Sequence, residues 1–479
     1  MTTTEDPAAT LADVRAALDR AMPSHRADLE ALVRIPSVSA PGFDPAEVRR
    51  AAEAVRDLLA RRGLDDARLL EVDGAHPAVY AHWSGAGPDA PTVLLYAHHD
   101  VQPPGDVTAW STPPFDPVER DGRLYGRGAA DDKAGIGVHA AAVSAWLGAR
   151  GALPVNVKVI VEGEEETGSE HLAGLLDAYA DLLRADVMVL TDSVNWQVGV
   201  PAITYLLRGL VDCEVEVRGL DHALHSGMYG GPVPDPLTGL IKLLAAATDE
   251  RGAVAIPGLA DDVHEPTAEE LDRLEALEFS LDGFRADAGL LPGVELGGDP
   301  ELHPLRRLWM QPNLTVVGLD APSVAGSSNT LVPSARARLS LRLAPGQDPL
   351  RARDLLCAWL GANAPWGLHV TVTPGAAGSP FVADPTGPAF GAAARALEAA
   401  YGHPVVYTGV GGTIPFVEPF ARAFAADPAH PTPALLTGVE DPDTRAHGID
   451  ESLHLEDWRR ACLGEAYLFD ELARSLGTR

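Results

Sequence analysis

The chain has 479 residues, 46% of them hydrophobic and 22% charged, which is enough apolar surface for two or three packed domains and rules out a disordered chain. A formal net charge of −31, from 68 acidic and 37 basic residues, excludes nucleic acid or an anionic membrane as partner, because either needs concentrated basic charge. Three cysteines without C-x-x-C spacing (Cys213, Cys357 and Cys462), no basic-then-apolar leader in MTTTEDPAATLADVRAAL and no run of about 18 apolar residues together predict a reduced, cytoplasmic protein that does not span a membrane.

Amphipathic patterns predict helices near 8–33 and 45–62, followed by apolar strand-like runs ARLLEV, AVYAHW and TVLLYAH. A helix in KAGIGVHAAAVSAWLGAR, a strand in VNVKVIVEG, a helix in SEHLAGLLDAYADLL and a strand in ADVMVLTD continue the alternation. This rhythm predicts an α/β layer fold with a mostly parallel central sheet. From about residue 203 the strands alternate polar and apolar residues, as in LVDCEVEVRG and ARARLSLRLAP, with helices in DPLTGLIKLLAAAT and DPLRARDLLCAWLG. That pattern predicts an antiparallel sheet covered on one face, a smaller α+β domain. After about 378–385 the α/β rhythm returns through GPAFGAAARALEAAYG, VVYT, ALLTGV and a last helix near 454–475. The simplest organisation is one domain, 1–202 and 381–479, interrupted by an inserted domain over 203–380. An acidic, Pro- and Gly-rich stretch around 258–303 reads as a surface insertion.

In open α/β sheets ligands bind beyond the carboxyl ends of the strands, and His98, Glu165, Glu166 and Asp192 all fall where a predicted strand runs out. Residues two apart in an extended segment share a side, so His98 and Asp100 face one way and His99 the other. His98 is therefore the metal ligand, with Asp100 accepting its other ring N–H. Asp131 ends the turn GRGAADDK just before a helix, where its carboxylate is placed to bridge two ions, and of the adjacent Glu165 and Glu166 one can bind metal while the other stays free as a base. Carboxylates with imidazole suit zinc, with manganese or cobalt as alternatives. The segment G-R-G-A-A-D at 126–131 is not a dinucleotide fingerprint, since Asp131 stands at the third glycine and would repel pyrophosphate.

Several blocks carry a family resemblance. YAHHDVQPPG contains H-x-D-V-Q-P, WSTPPFDP precedes DGRLYGRGAADDK, and EGEEETGS holds paired glutamates. From about residue 30 to its end the chain resembles the di-zinc metallopeptidases that include cytosolic non-specific dipeptidase, carnosinase, PepV-like dipeptidase, aminoacylase and glutamate carboxypeptidase, and the wording is that of the dipeptidase branch. The resemblance implies a zinc-peptidase-like catalytic domain with an inserted ferredoxin-like lid and dimerisation domain, two Zn2+ per subunit, a small peptide substrate and a homodimer. It implies His98 and Asp192 as ligands of different ions, Asp131 as bridge, Glu166 as ligand, Glu165 as general base, and His447 in TRAHGIDES as the last ligand. LHSGMYGG points to His225, which reaches a partner's active site in relatives and stabilises the oxyanion; Asn329 and Thr330 in SSNTLVP and Arg342 in LSLRLAP match substrate-contacting positions. Arg342 has a second reading as a surface strand arginine. VGGTIPF matches a G-G-S-I-P turn that contributes Gly412 and Thr413, but the Arg-Glu pair frequent ahead of it is Gly409 and Val410 here. Hydrolysis of an N-acyl amino acid uses the same machinery and stays as the alternative, and a non-catalytic binding module is the rival from another class.

Overall fold

The computed structural model describes residues 7–425, 427 and 431–477; residues 1–6, which open the N-terminal segment considered above, lie outside the described residues. The chain forms two compact units. The first takes the chain up to Tyr205, Ala383–Thr408 and everything from Ile414 on; the second takes Leu206–Val382 and Gly409–Thr413. The glycine-rich turn thus belongs with the second unit, although in chain order it lies within the returning α/β segment.

The first unit is built on a mixed sheet with strands in the order Asp65–Leu70, Ala78–Trp83, Asn156–Glu162, Thr92–His98, Val187–Leu190, Ala434–Leu436 and Ala202–Leu207. Its four central strands, from Asn156–Glu162 to Ala434–Leu436, are parallel, and antiparallel pairs close it on both sides. Runs such as TVLLYAH and VMVL are buried along their length because helices cover both faces of a parallel sheet. Helix Lys133–Arg150 is capped by Asp132, whose side chain accepts the Gly135 N–H, and ends on left-handed Gly151. It is buried nearly all round, as its Ala- and Gly-rich sequence requires. His139 on this helix sits 2.8 Å from Glu465 and 2.9 Å from the Tyr96 carbonyl, tying it to the C-terminal helix Leu455–Leu476 and to the central strand. Trp146 and Trp458 add indole N–H donations to the Ala466 and Ala134 carbonyls.

The second unit holds a four-stranded antiparallel sheet in the order Asn313–Asp320, Ser334–Leu343, Gly209–Arg218, His369–Gly378. Helices Pro236–Ala246 and Pro349–Ala362 follow the first and third strands in sequence, which gives the expected ferredoxin-like arrangement. Alternate residues Val211, Cys213, Val215, Val217 and Ala335, Ala337, Leu339, Leu341, Leu343 make one buried face with Leu240, Leu243, Leu356 and Leu360 of the helices. The acidic stretch folds into short helices, Ala268–Glu275 with a Thr267/Glu270 capping box and Leu281–Asp287. No helix of the described residues is long and apolar enough to cross a membrane.

Leu95, fully buried at the centre of the parallel strands, tests this core. Leu95→Ala lowers stability by about 2–5 kcal/mol in urea unfolding of the full chain, and an unchanged midpoint contradicts the packing described.

Candidate metal centre

The carboxyl ends of the parallel strands bring the acidic residues together. His98 closes its strand; the next parallel strand leads through Glu162 into a 3-10 turn, Glu165–Thr167, and the one on the other side runs out just before Asp192. His98 Nε2 lies 3.1 Å from Asp131 Oδ1 and 3.8 Å from Asp192 Oδ1. His447 Nε2 lies 3.0 Å from the other oxygen of Asp131 and 3.2 Å from Glu166 Oε2. Asp131 therefore turns one oxygen to His98, which also has Asp192 nearby, and the other to His447, which also faces Glu166, so that it links two trios, His98 with Asp192 and an aspartate, and Asp131 with Glu166 and His447. His98 and Asp192, expected on different ions, share a trio because their strands are adjacent and parallel. Asp132 offers a ligand atom within 4.8 Å of those of His98 and Asp192, so it too can complete their trio. Its oxygens accept the His98 N–H at 3.3 Å and the Gly135 N–H at 3.2 Å, which makes it a helix cap first.

A second layer of contacts fixes these ligands. His98 Nδ1 lies 3.1 Å from the Asp100 carbonyl and 3.4 Å from its Oδ1, which leaves Nε2 for the trio. Asp100 Oδ2 accepts from Ser39 Oγ at 2.7 Å and from the Glu166 N–H at 3.1 Å, joining the two trios through the backbone. Gln102 clamps Glu166, donating its N–H to Oε1 at 3.0 Å and its Nε2 to Oε2 at 2.9 Å. Glu451, fully buried, accepts from Arg127 Nη1 at 2.7 Å and from the N–H groups of Gly128, Ala130 and Asp131 at 3.0–3.2 Å. It holds the turn that presents Asp131. Lys133 Nζ donates to the Leu32 and Ile35 carbonyls, anchoring the far side of the same turn. Reading the residues alone missed the roles of Gln102 and Glu451. Their signals are the Q of V-Q-P and the E four positions after His447.

The electrostatics are those of crowded carboxylates. Burial, with the charge of Asp131, pushes the Glu166 carboxyl up to about 7. Burial likewise raises Glu165, with Asp192, Glu166 and Asp131 adding to it against the opposing charge of His98. Burial pulls His98 down, but Asp100, Asp131 and Asp192 outweigh it and its net direction is upward. Hydrogen bonds to Asp131 and Glu166 hold His447 up, to about 11. Burial raises Asp131, yet His447 and His98 bring it well below the usual carboxylate range. His98 Nε2 and Asp100 Oδ1 are buried without a hydrogen-bond partner among the described residues. An orphaned imidazole nitrogen aimed at two carboxylates, beside a second trio of the same donors, fits divalent cations such as zinc. Glu165 stands among these groups, and its carboxylate accepts no hydrogen bond from a described residue.

The remaining expected residues lie in the second unit and form two groups. His225 and Thr330 are cross-strand partners in a short ribbon, and the Asn329 carbonyl accepts the Ser226 N–H at 2.9 Å. All three residues are exposed. Arg342 Nη1 donates to Thr413 Oγ1 at 3.3 Å, next to Gly412 in the glycine-rich turn, and Thr413 Oγ1 in turn donates to the Arg208 carbonyl.

The sequence profile of Peptidase family M20/M25/M40 matches residues 94–466. Cysteinylglycine-S-conjugate dipeptidase of Corynebacterium striatum is 34% identical over 418 residues, covering 87% of this chain and 88% of that protein. Beta-Ala-His dipeptidase of Homo sapiens is 32% identical over 352 residues, 72% of this chain and 68% of that protein. Among solved structures, the dipeptidase Dug1p from Saccharomyces cerevisiae superposes with a TM-score of 0.85 at 26% identity, covering 97% of this chain and 98% of that one.

Two outcomes follow from the geometry. A metal entering the trios must displace protons held by the raised His98, His447 and Glu166 groups. Zinc titrated into chelator-stripped protein near pH 6.5 therefore releases about two to three protons per chain, read by calorimetry in buffers of different ionisation enthalpy; no release contradicts these directions. Glu451→Gln keeps the shape of the side chain but weakens its hold on the Asp131 turn. Metal affinity falls about 10–100-fold, measured by competition with a chromogenic chelator.

Proposed function

The chain belongs to peptidase family M20/M25/M40 and is a metallopeptidase that hydrolyses dipeptides; we propose that Glu165 is its general base and that two zinc ions per subunit, replaceable by manganese or cobalt, occupy the two trios. The observation that carries the reading is Asp131, with one oxygen toward His98 and the other toward His447. In this reading His98, Asp192 and Asp131 hold one ion, and Asp131, Glu166 and His447 the other. When bound, such ions supply Lewis acidity that lowers the pKa of water and polarises a carbonyl.

Every other task falls to side chains. Glu165, half-buried and with a carboxylate that accepts no hydrogen bond from a described residue, takes the proton of the attacking water and passes it to the leaving amine. Asp100 keeps the His98 Nδ1 proton in place, so that the ring presents Nε2 throughout. Arg342, with Thr413 and the Gly412 backbone, receives the C-terminal carboxylate of the dipeptide, a planar anion that suits a guanidinium. His225, with Asn329 and Thr330 beside it, stabilises the oxyanion in the site of a second copy of the chain, which makes the enzyme a homodimer with the inserted domain as lid. The three free cysteines support a reducing, cytoplasmic setting.

Glu165→Gln lowers kcat by about 10²–10⁴-fold while the metal content stays near that of the parent; loss of metal instead removes Glu165 from the role of base. Dipeptides, and not N-acetyl or N-succinyl amino acids, are the substrates cleaved in a side-by-side panel. Coexpressed His225→Ala and Glu165→Gln chains, each inactive alone, regain activity, because one site of the mixed dimer then has both groups. No recovery means that His225 does not act in trans.

A further inference from the structure

The second unit contains a cavity of about 400 Å3 whose lining includes Arg208, Phe284, Asp299, Arg307 and Gln311. It lies where the acidic stretch and helix Pro304–Met310 meet the start of strand Gly209–Arg218. Arg208 is only 7% exposed. Its Nε donates to the Gly411 carbonyl at 3.2 Å, and among the described residues Nη1 and Nη2 have no partner and no carboxylate stands within ion-pair range. Burial and the neighbouring charge of Arg342 lower the guanidinium to about 10. A buried cation beside another cation, in a chain of net charge −31, is an expensive arrangement unless an anion completes it.

A second lining residue repeats the feature. Arg307 Nη1 donates to the Gly297 carbonyl at 2.7 Å, but its Nε is buried with no partner among the described residues. Gly298, at φ +84°, packs so closely on the Arg307 stem that an added Cβ would lie 3.0 Å from its Cδ. Asp299 is the one carboxylate among the described lining residues. It is already engaged by Arg251 at 3.4 Å and by the Glu301 N–H at 3.1 Å. The strand end beside Arg208 is neutral as well: the Val410 carbonyl accepts the Arg208 N–H, and Gly409 leaves room for the Trp309 ring, 2.7 Å from where a Cβ would stand.

We propose that this cavity is a carboxylate-binding site, in which Nη1 and Nη2 of Arg208 take the two oxygens and Arg307 supplies the second positive charge. Two sources share that chemistry. One is the acidic side chain of a C-terminal Asp or Glu in the dipeptide, whose main-chain carboxylate Arg342 takes; this source rests on the function proposed above. The other is a free dicarboxylate, which does not.

The test uses the full metal-loaded chain and calorimetric titration with glutarate, with uncharged glutaramide as control. Glutarate binds once per chain and glutaramide does not. Arg208→Met and Arg307→Gln each weaken glutarate at least about tenfold, as does Val410→Glu, which supplies an internal carboxylate to Arg208. Three variants with different packing consequences keep the test valid if one misfolds. Absence of saturable glutarate binding, or binding that Arg208→Met and Val410→Glu leave unchanged, overturns the site. The ratio of kcat/KM for Ala-Glu over Ala-Gln separates the sources: about tenfold or more, collapsing in Val410→Glu, assigns the site to substrate, and a ratio near one with glutarate still bound assigns it to a free dicarboxylate. Glutarate binding in a chain that cleaves no dipeptide rejects the dipeptidase reading and leaves the site standing.

Discussion

One carboxylate organises the first unit. Asp131 faces His98 with one oxygen and His447 with the other, and these histidines come from the first and last parts of the chain. Around it stand Asp192, Glu165, Glu166 and Asp132, a concentration of like charge that burial makes worse and that pushes most of these carboxyls upward. Such a cluster does not form because its members attract. It is held because the backbone carrying each acid is fixed elsewhere: Glu451 and Arg127 close the Asp131 turn, Gln102 clamps Glu166, and Asp132 caps a helix locked between the sheet and the C-terminal helix. The stability of the packed layers offsets the repulsion, and the repulsion is what makes the centre selective for cations.

The parts of this centre legible in the sequence are those attached to a strand. His98 and Asp192 were placed by apolar runs that stop abruptly, and period-two alternation separated His98 from His99, whose ring instead contacts the Pro77 carbonyl. Which residues share a trio was not legible, because it depends on strand order: the His98 strand pairs directly with the strand leading to Asp192, a fact of three-dimensional neighbourhood rather than of spacing. His447 sits in a loop with positive φ and no periodic pattern, so that only family resemblance identified it. Glu451 shows the same limit from the other side. Its place four positions after His447 marks it only through the motif, and nothing in the loop itself shows that four donors converge on it from about 320 residues away.

In the second unit, alternation in LVDCEVEVRG and ARARLSLRLAP specified which face is buried, since a one-residue slip would turn Val and Leu to solvent. The acidic stretch was opaque for a physical reason: its helices are short, so neither periodicity nor composition reports what it encloses. Gly409 illustrates a meaning that appears only in space. It looks like part of a flexible glycine run, whereas the Trp309 ring occupies the volume a side chain would need.

The strand Ala434–Leu436 lies inside its sheet, between Val187–Leu190 and Ala202–Leu207, although nearly half the chain separates it from them in sequence. On the ribosome this sets an order of events. Domains fold as units as they emerge, and the second unit, apart from its five-residue turn, is complete once Val382 is out. The part of the first unit up to Tyr205 must wait with a gap between two of its strands until Ala434–Leu436 is made. During that interval the edges of Val187–Leu190 and Ala202–Leu207 that face this gap stay unpaired, and an unpaired edge is a template for pairing with another chain.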